Sequence, residues 1–375
     1  MKAVVRRIEF PKGRRVLCVS DIHGNLPLFK GVLAKAHFSR DDILMVLGDI
    51  LERHEGSLDT LRYVMELSKT HTVYTLMGNC DNIVAAFMEE RDLTDEFYDW
   101  WFQRLGEKAT LVKMAHLAGV RVDSPKDYPA ARAAIREVFA PEVDFLCHLP
   151  QIYVNDDYLF VHGGVPREDN LEELDAYGCM KNDDFLGQGL SFQRWVVVGH
   201  WPVTLYREDI ASAKPMLLHD RHIASIDGGC TLKADGQLNA LILPQKPGGE
   251  FSYVAYDGFP VMTALDDQEP SENSINIRWG RSQLEVLKEG PEFCRCRHWE
   301  SGRELDVLTE YLRYDEKGVH CEDSTDYRLP VKAGERLSVV RQTSRGALCK
   351  RDGATGWYFG RLRENGKERD TNGEF

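Results

Sequence analysis

The chain has 375 residues, a formal net charge of −13, and hydrophobic and charged fractions of 43% and 29%. That is the balance of an ordinary soluble protein, and at ~100–200 residues per domain its length fits two or three domains. The acidic balance argues against a nucleic-acid backbone as main partner, and no apolar run approaches the ~20 residues that cross a bilayer.

The first ten residues carry Arg6, Arg7 and Glu9 and have no apolar core. They read as the start of a cytoplasmic protein, not as a signal peptide. The nine cysteines are scattered, with only Cys294 and Cys296 close together. Free thiols in a reducing compartment are the simplest reading.

Short apolar runs at 16–20, 43–47, 72–77, 159–161 and 196–198 predict buried strands. Each is followed at once by a small polar cluster. From about 92 to 140 the apolar spacing becomes helical, over 96–105, 110–117 and 130–139, which predicts a helical insert. Strands return at 223–226, 238–243 and 251–256, with turns at 234–236 and 247–249. Residues 263–273 are polar, acidic and Pro-containing toward their end, which predicts a linker between a first domain at 1–262 and a second region at 274–375. That region is all-β in pattern, with strands expected at 284–286, 293–296, 305–308, 337–340, 347–350 and 356–359. The tail from 364 to 375 reads as disordered.

Five polar clusters carry the chemistry. They are Asp21-Ile22-His23-Gly24-Asn25, Gly48-Asp49-Ile50-Leu51-Glu52-Arg53, Gly78-Asn79-Cys80-Asp81, His162-Gly163-Gly164 and Gly199-His200-Trp201-Pro202. Asp21 and His23, two residues apart, can hold one divalent ion, and Asp49 can bridge to a second because a carboxylate has two oxygens. Asn79, His162 and His200 would complete the second site. Mixed nitrogen and oxygen donors suit Mn²⁺, the first choice, or Fe, Zn, Ni or Co, better than a calcium cage. Arg53, four residues after Asp49, suits phosphate because its planar fork pairs two oxygens at once, and Asn79 is expected to join it in binding the substrate phosphate. Net acidity does not oppose a phosphate substrate when bound cations supply local positive charge.

The ordered set of clusters resembles the metallophosphatase (calcineurin-like phosphoesterase) superfamily, and its serine/threonine phosphatase branch in particular. The stretch from Phe145 to Gln151, the approach from Tyr158 into His162-Gly163-Gly164, and Ser225-Ile226-Asp227-Gly228-Gly229 extend the likeness. The resemblance implies an α/β domain, a four-layer α/β/β/α sandwich. It implies that Asp21, His23 and Asp49 hold one metal, and Asp49, Asn79, His162 and His200 the other. It also implies hydrolysis of phosphate esters by a metal-bridging hydroxide. Within the all-β region, Gly334-Glu335-Arg336-Leu337 and the run from Gly353 to Tyr358 resemble bacterial SH3-like barrels. Such barrels would take a peptide or an intramolecular partner. Exposed Trp357 and Tyr358 would favour a peptide, although aromatics there are more often core.

Two positions depart from the family. Its Gly-Asn-His-Asp/Glu motif stands here as Gly78-Asn79-Cys80-Asp81, and Glu52 takes the place of the Asp that orients the missing His. Cys80 and Asp81 are the remaining candidates for the proton donor, and Cys80 reads equally well as a buried filler. The expected substrate is a phosphoprotein or a small phosphoester or nucleotide. Dinucleoside polyphosphate or phosphodiester hydrolysis is the alternative, and a metal-bearing pseudophosphatase that only binds phosphate is the competing class.

Overall fold

The computed structural model describes residues 1–91, 93–246 and 248–364. Two compact units divide the chain, one formed by Met1–Tyr206 with Ala213–Gly258, the other by Arg207–Ser212 with the residues from Phe259 onward.

In the first unit, strands Val16–Val19 and Ile43–Val46 are buried along their whole length and pair in parallel. Strands buried on both faces need cover on both, and the alternation of side chains supplies it. Leu17, Val19, Leu44 and Val46 face one way, onto helices Leu26–Lys35 and Ser57–Thr70 through Phe29, Val32, Leu61 and Val64. Val16, Cys18, Ile43 and Met45 face the other way, onto Tyr153, Phe160, Val197 and Ala224 of a second sheet. The first sheet runs Ser252–Tyr256, Leu238–Ile242, Val16–Val19, Ile43–Val46, Thr72–Thr75. The second runs Val5–Arg7, Ile152–Val154, Tyr158–Val161, Trp195–Val198, Ile223–Ser225, Met216–Leu218. The outer face of the second sheet is closed by the short helix Ala176–Met180 and the tight turns Leu171–Glu173 and Phe185–Gln188. The expected layers are therefore present, with a thin outer cover on that side.

All the strands expected before residue 260 form. Val5–Arg7, Ile152–Val154 and Met216–Leu218 escaped the sequence reading. Val5–Arg7 and Met216–Leu218 are sheet edges and only partly buried, so they carry no continuous apolar run.

The helical insert forms as Asp95–Leu105, Thr110–Leu117 and Tyr128–Val138, with Asp92 outside the described residues. Thr94 caps the first of these by accepting from Phe97 N at 3.3 Å. Phe87, on helix Asn79–Glu89, anchors the insert, its ring 5.0 Å from that of Tyr98 and 5.4 Å from that of Tyr128.

The second unit is antiparallel throughout its two larger sheets. One runs Ala354–Tyr358, Gly346–Arg351, Arg336–Thr343, Val261–Ala264, Leu362–Glu364, and the other Glu304–Leu308, Phe293–His298, Gln283–Lys288, Gly318–Cys321, Leu312–Asp315. Each has its own core, and Phe293, Leu308, Leu348 and Trp357 pack where they meet. Every strand expected in this region is present.

The expected boundaries move. The first unit ends at Gly258, not 262, and residues 263–273 are not a free linker. Val261–Ala264 is a strand paired on both sides. The polar residues after it satisfy backbone groups of this unit: Gln268 Nε2 donates to Leu329 O and Trp357 O at 2.8 and 2.7 Å, and Asp266 binds Arg361 at 2.8 Å. Polar composition marked hydrogen bonding here, not solvation. Arg207–Ser212 also belongs to this unit, Ala211 O accepting from Thr355 N at 2.8 Å. Trp357 and Tyr358 are core, 9% and 0% exposed, with Trp357 Nε1 donating to Thr325 O at 2.8 Å. They are not a peptide platform. The nine cysteines are free thiols. Pro247 of the expected turn and residues 365–375 of the expected tail lie outside the described residues. No helix among the described residues is long and apolar enough to cross a membrane.

A chain ending at Gly258 is expected to run as a monomer in size-exclusion chromatography and to melt in one cooperative transition. A chain ending at Asp267 keeps the unpaired strand Val261–Ala264 and is expected to self-associate. If the shorter chain is the insoluble one, the second unit completes the first unit's core.

Candidate metal centre

Six parallel strands, three from each sheet of the first unit, end at one edge. Val16–Val19, Ile43–Val46 and Thr72–Thr75 lead to Asp21, Asp49 and Asn79. Tyr158–Val161, Trp195–Val198 and Ile223–Ser225 lead to His162, His200 and Asp227. Ligand sites form at the carboxyl ends of such strands because loops leave there side by side. The loops are laced by backbone bonds: Asp21 N to Gly48 O, His23 N to Asp49 O and Gly24 N to Ile50 O, at 3.1, 2.9 and 2.7 Å.

The lacing holds strained backbone. Asp21, His23, Asp49, Glu52, Arg53 and His200 all have φ between 49° and 75°. This left-handed region costs a non-glycine residue about 1 kcal/mol or more, and such strain gathers where geometry is over-determined. Glycines give the room: a Cβ on Gly78 would collide with the backbone and carboxylate of Asp49.

Asp49 lies at the centre, 2% exposed. Its Oδ1 accepts from Cys80 N at 2.8 Å and lies 3.4 Å from His162 Nε2, while Oδ2 lies 3.8 Å from His23 Nε2. Two groups of side chains can each hold an ion, and both contain Asp49. In one, single ligand atoms of His23, Asp49 and Cys80 lie within 4.8 Å of one another, and in the other those of Asp49, His162 and His200 do. Asn79 Oδ1 adjoins the second, 3.3 Å from His162 Nε2. Asp21 adjoins the first, Oδ1 lying 3.8 Å from His23 Nε2.

These residues fit a cation. Asp21 Oδ1 and His23 Nε2 are buried without any hydrogen-bond partner, an arrangement that is expensive unless something else satisfies them. Burial opposes ionisation of Asp49, yet His162, His23 and His200 hold its carboxyl well below the usual range. Burial likewise opposes a charged His162, but Asp49 and Asp21 push it up to about 10. The centre thus gathers negative charge that calls for a counter-cation. Its oxygen and imidazole donors suit divalent transition ions.

The other expected site residues fall around this centre with altered roles. Arg53 stacks over the Trp101 ring at 5.2 Å, and its buried Nε has no hydrogen-bond partner, so the guanidinium is held with donors to spare. Glu52 does not orient a proton donor. Its oxygens accept from Trp101 Nε1 and from Thr110 N, each at 3.1 Å, tying the insert to the Asp49 loop. Burial raises its pKa to about 7 against those donors and Arg53. Asp81 braces the same loop by accepting from Ile50 N, Leu51 N and Gly78 N at 3.0–3.1 Å, which occupies both its oxygens. Burial, and then Asp49, raise its pKa to about 7 against those donors.

Three partners escaped the sequence reading. Trp101 and Thr110 reach Glu52 from a helical insert without a motif. Asp183 accepts from His200 Nε2 at 2.7 Å and also binds Lys181, and that bond, chiefly, holds its carboxyl down to about 2. It fixes the imidazole tautomer and leaves Nδ1 with the lone pair. The polar run Lys181-Asn182-Asp183 was the available signal. Asp227 is fully buried with Oδ2 unpartnered, and burial and then Asp21 raise its pKa well above the carboxylate range.

Asp49→Asn is expected to lose most of both ions by elemental analysis, because Asp49 belongs to both groups. Glu52→Ala is expected to keep both ions and to lower stability by roughly 1–3 kcal/mol in denaturant titration, since two donors lose their acceptor. Full occupancy in Asp49→Asn would exclude the shared carboxylate.

The calcineurin-like phosphoesterase family pattern matches residues 14–226, more than half of the chain. A symmetrical bis(5'-nucleosyl)-tetraphosphatase from Hamiltonella defensa subsp. Acyrthosiphon pisum is 27% identical over 154 residues, 39% of this chain and 43% of that protein. One from Buchnera aphidicola subsp. Schizaphis graminum is 34% identical over 82 residues, 21% of this chain and 29% of that protein. The chain thus spans less than half the length of either curated relative. Among solved structures, a protein serine/threonine phosphatase from Saccharomyces cerevisiae aligns at 10% identity and a TM-score of 0.38, covering 68% of this chain and 84% of that one. By the extent of the family match, this chain belongs to the calcineurin-like phosphoesterase family.

Proposed function

We propose that the chain hydrolyses phosphoanhydride or phosphoester bonds with two divalent ions, and that dinucleoside polyphosphates are its substrate class. The single observation that carries the reaction is the sharing of Asp49 by two ion-holding groups. Asp21, His23 and Asp49 would hold one ion. Asp49, Asn79, His162 and His200 would hold the other, a mixed oxygen and nitrogen set that admits Mn²⁺. Bound there, two ions would supply an acidified water and neutralise phosphoryl charge.

The chain's own residues do the rest. Arg53, pinned by Trp101, offers paired donors to the non-bridging oxygens. Asp183 keeps His200 in one tautomer, and Asp81 holds the Asp49 loop in its strained conformation. Glycines 48 and 78 let the Asp49 and Asn79 loops pack against each other without a Cβ in the way.

The substrate class is supported by what surrounds the leaving group. Glu52 and Asp81 already accept from other groups, and Cys80 replaces the family's imidazole. A leaving alkoxide needs a proton, whereas a nucleoside diphosphate departs as a stable anion. General acid catalysis is worth ~10²–10⁴-fold, which sets the expected gap between the two. The names of the two curated relatives point the same way.

With Mn²⁺ added, diadenosine tetraphosphate and bis(p-nitrophenyl) phosphate should turn over at least ~10²-fold faster than a phosphoserine peptide. Faster phosphoserine turnover would return a proton donor to the site. Two bound ions with no turnover of any substrate would favour the phosphate-binding pseudophosphatase.

Arg53→Ala should lower kcat/KM by about 10²-fold, as loss of one charge-stabilising donor does elsewhere. Arg53→Lys should recover only part of this, because a point charge lacks the fork.

A further inference from the structure

We propose that Cys80 is a metal ligand, its thiolate completing the coordination of the first ion beside Asp21, His23 and Asp49. The proposal rests on the two-ion reading above and goes beyond it, since a thiolate is foreign to the oxygen and imidazole set the sequence implies.

The geometry is set by the backbone. Cys80 is the second residue of helix Asn79–Glu89, and its N–H is fixed on Asp49 Oδ1 at 2.8 Å. The side chain is 2% exposed. Its Sγ shares a volume with a His23 ring nitrogen and an Asp49 oxygen, all within 4.8 Å of one another. Asn79 Nδ2 approaches the sulfur at 3.5 Å, as a donor to it.

Independent atoms aim at the same point. His23 Nε2 and Asp21 Oδ1 are buried and lack any hydrogen-bond partner. They lie 3.8 Å apart, and His23 Nε2 is also 3.8 Å from Asp49 Oδ2. Atoms bound tetrahedrally at 2.0–2.3 Å stand about 3.3–3.7 Å apart, close to this spacing. One sulfur, one nitrogen and one carboxylate oxygen thus share a small buried volume, with Asp21 Oδ1 beside the nitrogen.

On binding, the thiol proton leaves to solvent as the sulfur–metal bond forms, so one proton is released per ion. A bound thiolate has no proton to give the leaving group. It replaces general acid catalysis with a softer first site, selecting Zn²⁺, Co²⁺ or Fe²⁺ over Mn²⁺ there while the second site keeps its mixed oxygen and nitrogen donors.

The full chain, stripped of metal, would be titrated with Co²⁺ alone and its absorption compared with Cys80→Ser, ions being counted in parallel. A near-ultraviolet thiolate-to-cobalt band should saturate with the first equivalent and vanish in the variant. Zn²⁺ affinity of the first site should fall on the order of tenfold or more, with Mn²⁺ affinity little changed. Alkylation of the parent, mapped by mass spectrometry, gives a second reading that needs no variant: Zn²⁺ should protect Cys80 and leave half-buried Cys147 unprotected. Two cobalt ions without the band, or a band that survives in Cys80→Ser, would overturn the ligand while leaving the two-ion centre intact. No bound cobalt would remove the two-ion centre itself and the ligand with it.

Discussion

A carboxylate buried at the meeting point of two sheets must find positive charge. Asp49 is in that position, and the surrounding structure answers the requirement three ways. Backbone N–H of Cys80 and the rings of His162 and His23 approach its two oxygens. Strand ends from both sheets bring those rings within reach. The left-handed backbone at six neighbouring positions lets the loops turn sharply enough to do so. Remove the charge requirement and the strained turns and close glycines have no reason to persist.

The same loop couples the helical insert to the anion site. Glu52 and Arg53 follow Asp49 directly, and both have positive φ. Glu52 turns to Trp101 and Thr110, and Arg53 lies on the face of Trp101. One tryptophan therefore satisfies a buried carboxylate with its N–H and positions a guanidinium with its ring. The insert, anchored through Phe87, is thereby tied to the loop that carries Asp49.

Changing an acid pair to Glu52 and Cys80 alters more than proton supply. Glutamate is one methylene longer than aspartate and reaches past position 80 into the insert. Cysteine is shorter than histidine, so its sulfur stays near Asp49 instead of extending toward a leaving group.

Much of this was legible in the amino-acid order. Buried parallel strands are continuous apolar runs, and a ligand at a strand's end must follow such a run, so Asp21, His23, Asp49, Asn79, His162 and His200 could be found from local pattern alone. The all-β character of the second unit was readable for the same reason. Roles that depend on what lies across space were not. Whether Glu52 faces an acid or an insert, whether Asp81 is free or braced by three amides, and which side Cys80 sulfur takes are set by residues 30 to 60 positions away. The residues read as a linker are polar in either case, and only tertiary structure determines whether those polar groups meet water or the backbone of a neighbouring strand. Local sequence encodes burial and turn geometry, because these are properties of a few adjacent residues. Partnership between side chains is a property of the folded arrangement, and here it determines what each chemical type at the site is able to do.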